Sequence, residues 1–359
     1  MNLDNARLNR VPKDNRLQAW SAADALMLSR ISQLNLDKTL LVNDSFGALS
    51  LGLSEVDHDW WNDSAMSLQA LKENCLNNDV ALPNIIDSVN QSYDVVAIHI
   101  PKSLKLFEWQ LLSIFEHCHA DTAFYAAGMV KHLSSGHIKV MNRLFASVKP
   151  GKAEKKARVV ELQQPNPGLV EQIGKLTDQY DVDYLDRPIV NLPGCFAQST
   201  IDPGARAFLN SFSELPEANK VVDLGSGNGI LAAAYLQQFP DTEEFHCIDD
   251  SRQAIESSKR NLIGFNQVQY WHNNSFNGLP EAAEANLILC NPPFHQSTSI
   301  TETIAKKMFQ DAARALAVGG ELWIVANRHL VYQPILRSLF DRVEMKSKDP
   351  KFMILRCIK

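Results

Sequence analysis

Residues 220–239 read KVVDLGSGNGILAAAYLQQF, and the parsing of this stretch decides the fold. KVVDLG is a short apolar run of strand type, and ILAAAYLQQF continues it as a helix. Between them the glycines fall as G-x-G-x-G, at Gly225, Gly227 and Gly229. Glycine there lets the chain turn tightly and lets its backbone approach a ligand. Residue 230 is not glycine, so the dinucleotide pattern G-x-G-x-x-G fails. The next apolar segment, EEFHCID, ends in Asp249. A carboxylate at that point can accept hydrogen bonds from both ribose hydroxyls of a nucleoside.

The same alternation continues to the C-terminus. RQAIESSKRNLIGF reads as a helix, VQYWHNN and ANLILC as strands, TETIAKKMFQDAARALA as a helix and ELWIVAN as a strand. RVEMKSK and KFMILRCIK, split by Asp349-Pro350, read as a closing hairpin. Strand–helix alternation implies a parallel sheet covered by helices on both faces. Ligands of such sheets bind beyond the carboxyl ends of the strands.

A chain of 359 residues is long for one core, and two α/β domains are expected, at 1–170 and 171–359. The composition is 45% hydrophobic and 21% charged, ordinary for a globular protein. No apolar run is long enough to predict a membrane span, and the polar N-terminus does not read as a secretory signal. The six cysteines are scattered without a C-x-x-C pair, so neither a zinc site nor a disulfide framework is expected, and a cytoplasmic location is. Net charge is −6, so any nucleic-acid contact has to use a local patch. KPGKAEKKAR, residues 149–158, supplies one, with Lys149, Lys152, Lys155, Lys156 and Arg158 against Glu154. A solvated linker would read the same way.

D-x-G-x-G-x-G with the later acid resembles the S-adenosylmethionine site of class I, Rossmann-like methyltransferases. The resemblance implies that Asp223 opens that site. It implies too that Gly225, Gly227 and Gly229 line the methionine and ribose, that Asp249 holds the ribose, and that Asn274 meets the adenine, where the family often has Asp. The fourth strand-like segment then ends in Asn291-Pro292-Pro293-Phe294-His295, which resembles the [NDS]-P-P-[YF] motif of enzymes that methylate a planar nitrogen. An exocyclic amine is a poor nucleophile because its lone pair is delocalised into the ring. The Asn291 side-chain oxygen and the Pro292 carbonyl can accept its two N–H bonds and stabilise the positive charge that develops on nitrogen. Prolines 292 and 293 preset the carbonyl direction, and Phe294 offers a stacking face. His295 could touch RNA or be a plain loop histidine.

Longer blocks resemble the bacterial ribosomal RNA guanine-N2 methyltransferases: LQAWSAADALML near 17, LVNDSFGALSLGL at 41, FAQSTIDPGARAFL at 196 and VANRHLVY at 325. They favour the branch acting on large-subunit 23S RNA, with guanine 1835 as target, over the 16S branch. The resemblance implies that Phe196, Asp202 and Gly204 close over the cofactor, and that Asn327 and Arg328 lie near the target base. A monomer without a metal is expected. A helix cap at Asp202 and a surface position for Arg328 are the plainer readings. A glutamine methyltransferase, whose aromatic is usually Tyr, and a non-catalytic RNA-binding assembly factor are the rivals.

The first half echoes the second. LLVNDSFGALSLGL lines up with VVDLGSGNGILAAA, and DVVAIHIPKSLKLFE with NLILCNPPFHQSTSI. Ser45 is taken to stand for Gly225, Leu49 for Gly229, and His99-Ile100-Pro101-Lys102 for Asn291 to Phe294. The pattern of elements survives while the chemical groups are lost. A degenerate methyltransferase-like domain that recognises RNA is therefore expected at the N-terminus, or a purely structural duplicate.

Overall fold

The computed structural model describes residues 3–14, 16–34, 37–197, 199–293, 299–347 and 349–359. The chain divides into two compact units, Met1–Leu176 and Thr177–Lys359. In the first, α1 (Ala22–Ile31) precedes β1 (Thr39–Val42), α2 (Ala48–Gly52), β2 (His58–Trp61), α3 (Ala65–Asn77) and β3 (Asn84–Ile85). It continues through β4 (Val95–His99), α4 (Leu104–Phe115), β5 (Ala123–Met129), α5 (Ser135–Leu144), β6 (Phe145–Pro150) and β7 (Ala157–Pro165). The sheet order is β3-β2-β1-β4-β5-β7-β6.

The second unit begins with a two-stranded sheet, β8 (Asp178–Tyr180) and β9 (Ile189–Asn191), and then α6 (Pro203–Leu209). Next come β10 (Lys220–Leu224), α7 (Ile230–Gln238), β11 (Glu244–Asp249), α8 (Arg252–Asn261), β12 (Val268–His272) and β13 (Ala285–Cys290). Last are α9 (Ser299–Ala315), β14 (Leu316–Asn327), α10 (Gln333–Leu339), β15 (Arg342–Met345) and β16 (Phe352–Ile358). The order β12-β11-β10-β13-β14-β16-β15 repeats that of the first sheet strand for strand. The chain is thus two tandem Rossmann-like methyltransferase folds.

The apolar runs explain the layers. On β10 and β13, Val221, Leu287 and Leu289 face α7 and Phe245, while Val222, Ile288 and Cys290 face Phe309 of α9. A sheet covered on both faces buries successive residues, which is why these strands read as continuous apolar runs. The parallel expectation holds from β12 to β14. The closing hairpin departs from it: β16 inserts beside β14 and runs antiparallel to both β14 and β15. A strand that returns through a short connection has no crossover and can pair only antiparallel.

The helix N-caps correct the register of the repeat by two residues. Gly229 caps α7 at φ 78°, ψ 17°, and Gly47 caps α2 at φ 77°, ψ 18°. Gly47, not Leu49, therefore stands for Gly229, and Asn43 at φ 61°, not Ser45, stands for Gly225 at φ 78°. The left-handed backbone at these two positions sets the match, which apolar similarity along the strand does not register. At the other loop the sequence register stands. Val42 pairs with Ile98 and Leu224 with Cys290, so His99 follows Ile98 as Asn291 follows Cys290.

Candidate active site

The glycine loop grows from the buried end of β10. Gly225 N and Ser226 N both donate to Ile248 O, at 2.8 and 3.1 Å, which turns the chain sharply over β11. A Cβ on Gly225 would press on Met308 Cε at 3.3 Å, whereas one on Gly227 would meet nothing within 4 Å among the described residues. Gly227 thus faces open space, and its N–H donates to Asp249 Oδ2 at 2.8 Å. Gly229 packs elsewhere: a Cβ there would lie 3.0 Å from Ser258 Oγ and 3.2 Å from Leu262 Cδ1. It keeps α7 close to α8. The other oxygen of Asp249 accepts from Ser251 N at 2.8 Å, so the carboxylate is locked at the edge of the loop.

Asp223 lies beneath this loop, fully buried, with neither carboxylate oxygen paired among the described residues. Burial, and next the charge of Asp249, push its pKa up to about 8; the Ala232 amide offsets only part of this. The carboxyl is therefore neutral at pH 7. A positively charged ligand above the loop would favour its ionised form.

Asn291 leaves the sheet one residue after Cys290, which pairs with Leu224 and so sets Asn291 beside the loop. Its Nδ2 donates to Asp202 Oδ2 at 3.2 Å. Its Oδ1 is buried and has no hydrogen-bond partner among the described residues. Asp202 is the N-cap of α6, accepting from Ala205 N at 2.8 Å with Pro203 at the first helical position. Pro292 is buried and Pro293 exposed. Phe294 and His295 lie outside the described residues.

The other expected residues are distributed as follows. Asn274 is buried just past β12, and Gly204 is buried in the first turn of α6. Phe196 is 52% exposed, on the segment leading to Asp202. Asn327 ends β14 opposite Phe352. Arg328 staples the β15–β16 hairpin instead: its guanidinium donates to Asp349 O at 2.6 Å and to Ser347 O at 3.2 Å. Arg328 is exposed. In the first unit, Glu154 and Ala157 bond reciprocally, at 2.9 and 2.8 Å, around Lys155 (φ 45°) and Lys156 (φ 64°). This is a two-residue hairpin turn with lysines where Asn-Gly is preferred. Lys149, Lys152, Lys155 and Lys156 are exposed and Arg158 half-buried.

One network escaped the sequence reading. Asn228 Nδ2 donates to Asn191 Oδ1 at 2.8 Å and to Tyr180 OH at 3.0 Å, and Asn191 Nδ2 donates to Ala197 O at 2.7 Å. Asn261 Nδ2 adds bonds to Asn228 O and Val190 O, at 2.8 and 2.9 Å. The segment bearing Phe196 is thereby tied to the glycine loop. Only the N-G pair at 228–229 hinted at it, and that pair reads as a turn.

Among the described residues no group of three or more His, Cys, Asp or Glu could hold a metal ion. No described helix is long and apolar enough to cross a membrane. Residues 1–166 match the family model described as RLMG N-terminal domain, and residues 186–356 match Methyltransferase small domain. Proteins named ribosomal RNA large subunit methyltransferase G are similar over their length. That of Streptomyces avermitilis is 33% identical, covering 99% of this chain and 96% of that protein. That of Pectobacterium atrosepticum is 34% identical, covering 100% and 96%. Among solved structures, the T. thermophilus 16S rRNA N2 G1207 methyltransferase in complex with AdoMet and guanosine matches with a TM-score of 0.79 at 19% identity. The match covers 94% of this chain and 92% of that one. At that identity the likeness bears on the fold.

Proposed function

Because this chain belongs to the ribosomal RNA large subunit methyltransferase G family, we propose that it methylates the exocyclic N2 amine of a guanine in 23S ribosomal RNA. S-adenosylmethionine, when bound, supplies the electrophilic methyl group. The glycine loop fits such a ligand, since the open face at Gly227 gives its backbone room to approach one. In this reading Gly225, Gly227, Asp249, Asn274, Phe196 and Gly204 hold the cofactor, with Asp223 beneath. Asn291 Oδ1 and the Pro292 carbonyl accept the two N–H bonds of the amine. Held so, the nitrogen pyramidalises with its lone pair directed at the methyl group. The methylated cationic amine is acidic and loses its proton to solvent, so a strong general base is not needed. The base has to leave its stack to reach Asn291, which favours single-stranded or loop RNA as substrate.

The observation that carries this reading is the lone buried Asn291 oxygen beside the glycine loop. A buried acceptor without a partner costs about 1–3 kcal/mol, a cost that a substrate donor removes. The first unit is assigned to RNA recognition. Its Lys155-Lys156 turn supports the assignment, because left-handed backbone costs a non-glycine residue about 1–2 kcal/mol, and a strained display of cations suits phosphate contact. A monomer working in the cytoplasm completes the reading.

The test offers the protein labelled S-adenosylmethionine with unmodified large-subunit or small-subunit RNA in separate reactions. Label on guanine N2 of the large-subunit RNA alone is expected, and sequencing the product gives the position. Label on small-subunit RNA alone would establish the other branch, and label on neither would favour a non-catalytic assembly factor.

A further inference from the structure

We infer that Asp202 is a positioning residue that fixes the hydrogen-bond polarity of Asn291. This deepens the function proposed above and rests on it. An amide side chain has two faces, one donating and one accepting, and rotation by half a turn exchanges them. Only one of the two orientations accepts an amine. With the nitrogen outward, Asn291 would repel an N–H donor and favour a ring nitrogen with a lone pair. The polarity of this one group therefore decides whether the site takes a donor or an acceptor.

Three observations point to Asp202 as the group that decides. First, Asn291 Nδ2 donates to Asp202 Oδ2 at 3.2 Å, and a carboxylate offers acceptors alone, so the nitrogen has to face it. Second, Oδ1 is left buried and without a partner among the described residues, as a group held for an absent donor would be. Third, the chain contains the same latch twice. In the first unit, Asp24 in the first turn of α1 lies 2.9 Å, Oδ1 to Nε2, from His99, the residue matching Asn291. In both units a carboxylate at the start of the helix before the first strand meets the residue at the end of the fourth strand, the last of β4 in one unit and the first after β13 in the other. Among the described residues, the gripped residue of the second unit keeps an acceptor without a partner.

Asp202 itself is set by local forces. The oxygen facing Asn291 also accepts from Ala205 N at 2.8 Å, and the side chain is 5% exposed. The helix terminus therefore holds the carboxylate, the carboxylate holds the amide nitrogen, and the amide oxygen is left for the substrate.

The cap and the latch separate by substitution. Ser at 202 still caps α6 but is too short to reach Asn291, whereas Asn keeps an oxygen for both bonds, because the cap requires one there. Asp202→Ser is expected to lower kcat for methyl transfer to unmodified large-subunit RNA by about 10- to 100-fold, with S-adenosylmethionine affinity and melting temperature near those of wild type. Asp202→Asn is expected to stay within a few-fold of wild type. The Asn291 side-chain NH2 signal, assigned through its loss in Asn291→Ala, is expected to shift in the serine variant and hold in the asparagine variant. A serine variant with wild-type kcat and an unmoved NH2 signal overturns the inference. So does equal loss of cofactor binding in both variants, which makes Asp202 a cofactor ligand. If wild type methylates no RNA, the functional reading fails, while the NH2 signal still tests the latch.

Discussion

At the end of the fourth strand, the second unit presents Asn291 and the first presents His99, each gripped by a carboxylate from the start of the helix that precedes the first strand. Burial works against both charges of the His99–Asp24 pair. Their mutual attraction nevertheless raises the pKa of His99 and lowers that of Asp24. One ring nitrogen of His99 faces Asp24 and the ring is also hydrogen-bonded to the Ala127 backbone, so no ring nitrogen is left over to receive an amine. The comparison separates two demands. The fold requires a polar anchor at the strand end; the reaction requires an anchor with an acceptor left over. Asn satisfies both and His only the first.

A second contrast lies under the glycine loops. Asp44 is buried in the first unit as Asp223 is in the second. Ser50 N, at the third position of α2, donates to Asp44 Oδ2 at 3.0 Å, and Asp44 Oδ1 has no partner among the described residues. Burial, then the charge of Asp24, raise the Asp44 pKa to about 6, against about 8 for Asp223.

The largest expected effect is on the first unit. His99→Ala removes the charge partner of buried Asp24 and leaves it only the Ser21 bonds of the helix cap, and is expected to destabilise that unit by about 3–5 kcal/mol in urea unfolding. Cofactor binding by the second unit should persist at low denaturant; an unchanged unfolding midpoint would mean that the pair is not an anchor. Next in size, Asn291→Ala should lower kcat by about 10²- to 10³-fold while cofactor affinity changes little. Parallel loss of both would show that the two roles do not separate.

Asp223 gives a smaller effect with a definite sign. Its folded pKa is raised from 3.8 to about 8. The stability it confers is complete below pH 3.8 and is lost as pH rises toward 8, because the unfolded chain ionises first. Asp223→Asn is expected to flatten this slope by a few kcal/mol, roughly, across that window in ligand-free protein. An identical slope in the two proteins would place the burden elsewhere. Smallest is the lysine turn. Replacing Lys155-Lys156 by Asn-Gly should stabilise the first unit by about 1–2 kcal/mol. It should also reduce the salt dependence of RNA binding, by roughly 1.5 in log–log slope. A slope that stays the same removes this turn from the RNA surface.

Local patterns carried much of this molecule. Apolar runs over 220–224 and 285–290 announced β10 and β13, and Gly225 to Gly229 announced the turn between sheet and helix. Gly229 illustrates the limit: its residue type was informative, but its neighbours Ser258 and Leu262 belong to the next helix. The two-stranded sheet β8–β9 and the helices α6 and α10 were not legible, because they are short and take their order from bonds to distant parts of the chain. The repeat was visible as a rhythm of elements, yet its loop register needed the backbone angles at Gly47 and Asn43.

The sequence by itself determined two α/β units, the glycine loop and an amide at the end of the fourth strand, because hydrophobic period and glycine freedom act between near neighbours. Tertiary structure alone decided which way that amide faces. Asp202 and Asn291 are 89 positions apart, and a single hydrogen bond between them resolves an ambiguity that residue type leaves open. Direction is a property of the partner across the fold, and no local pattern encodes it.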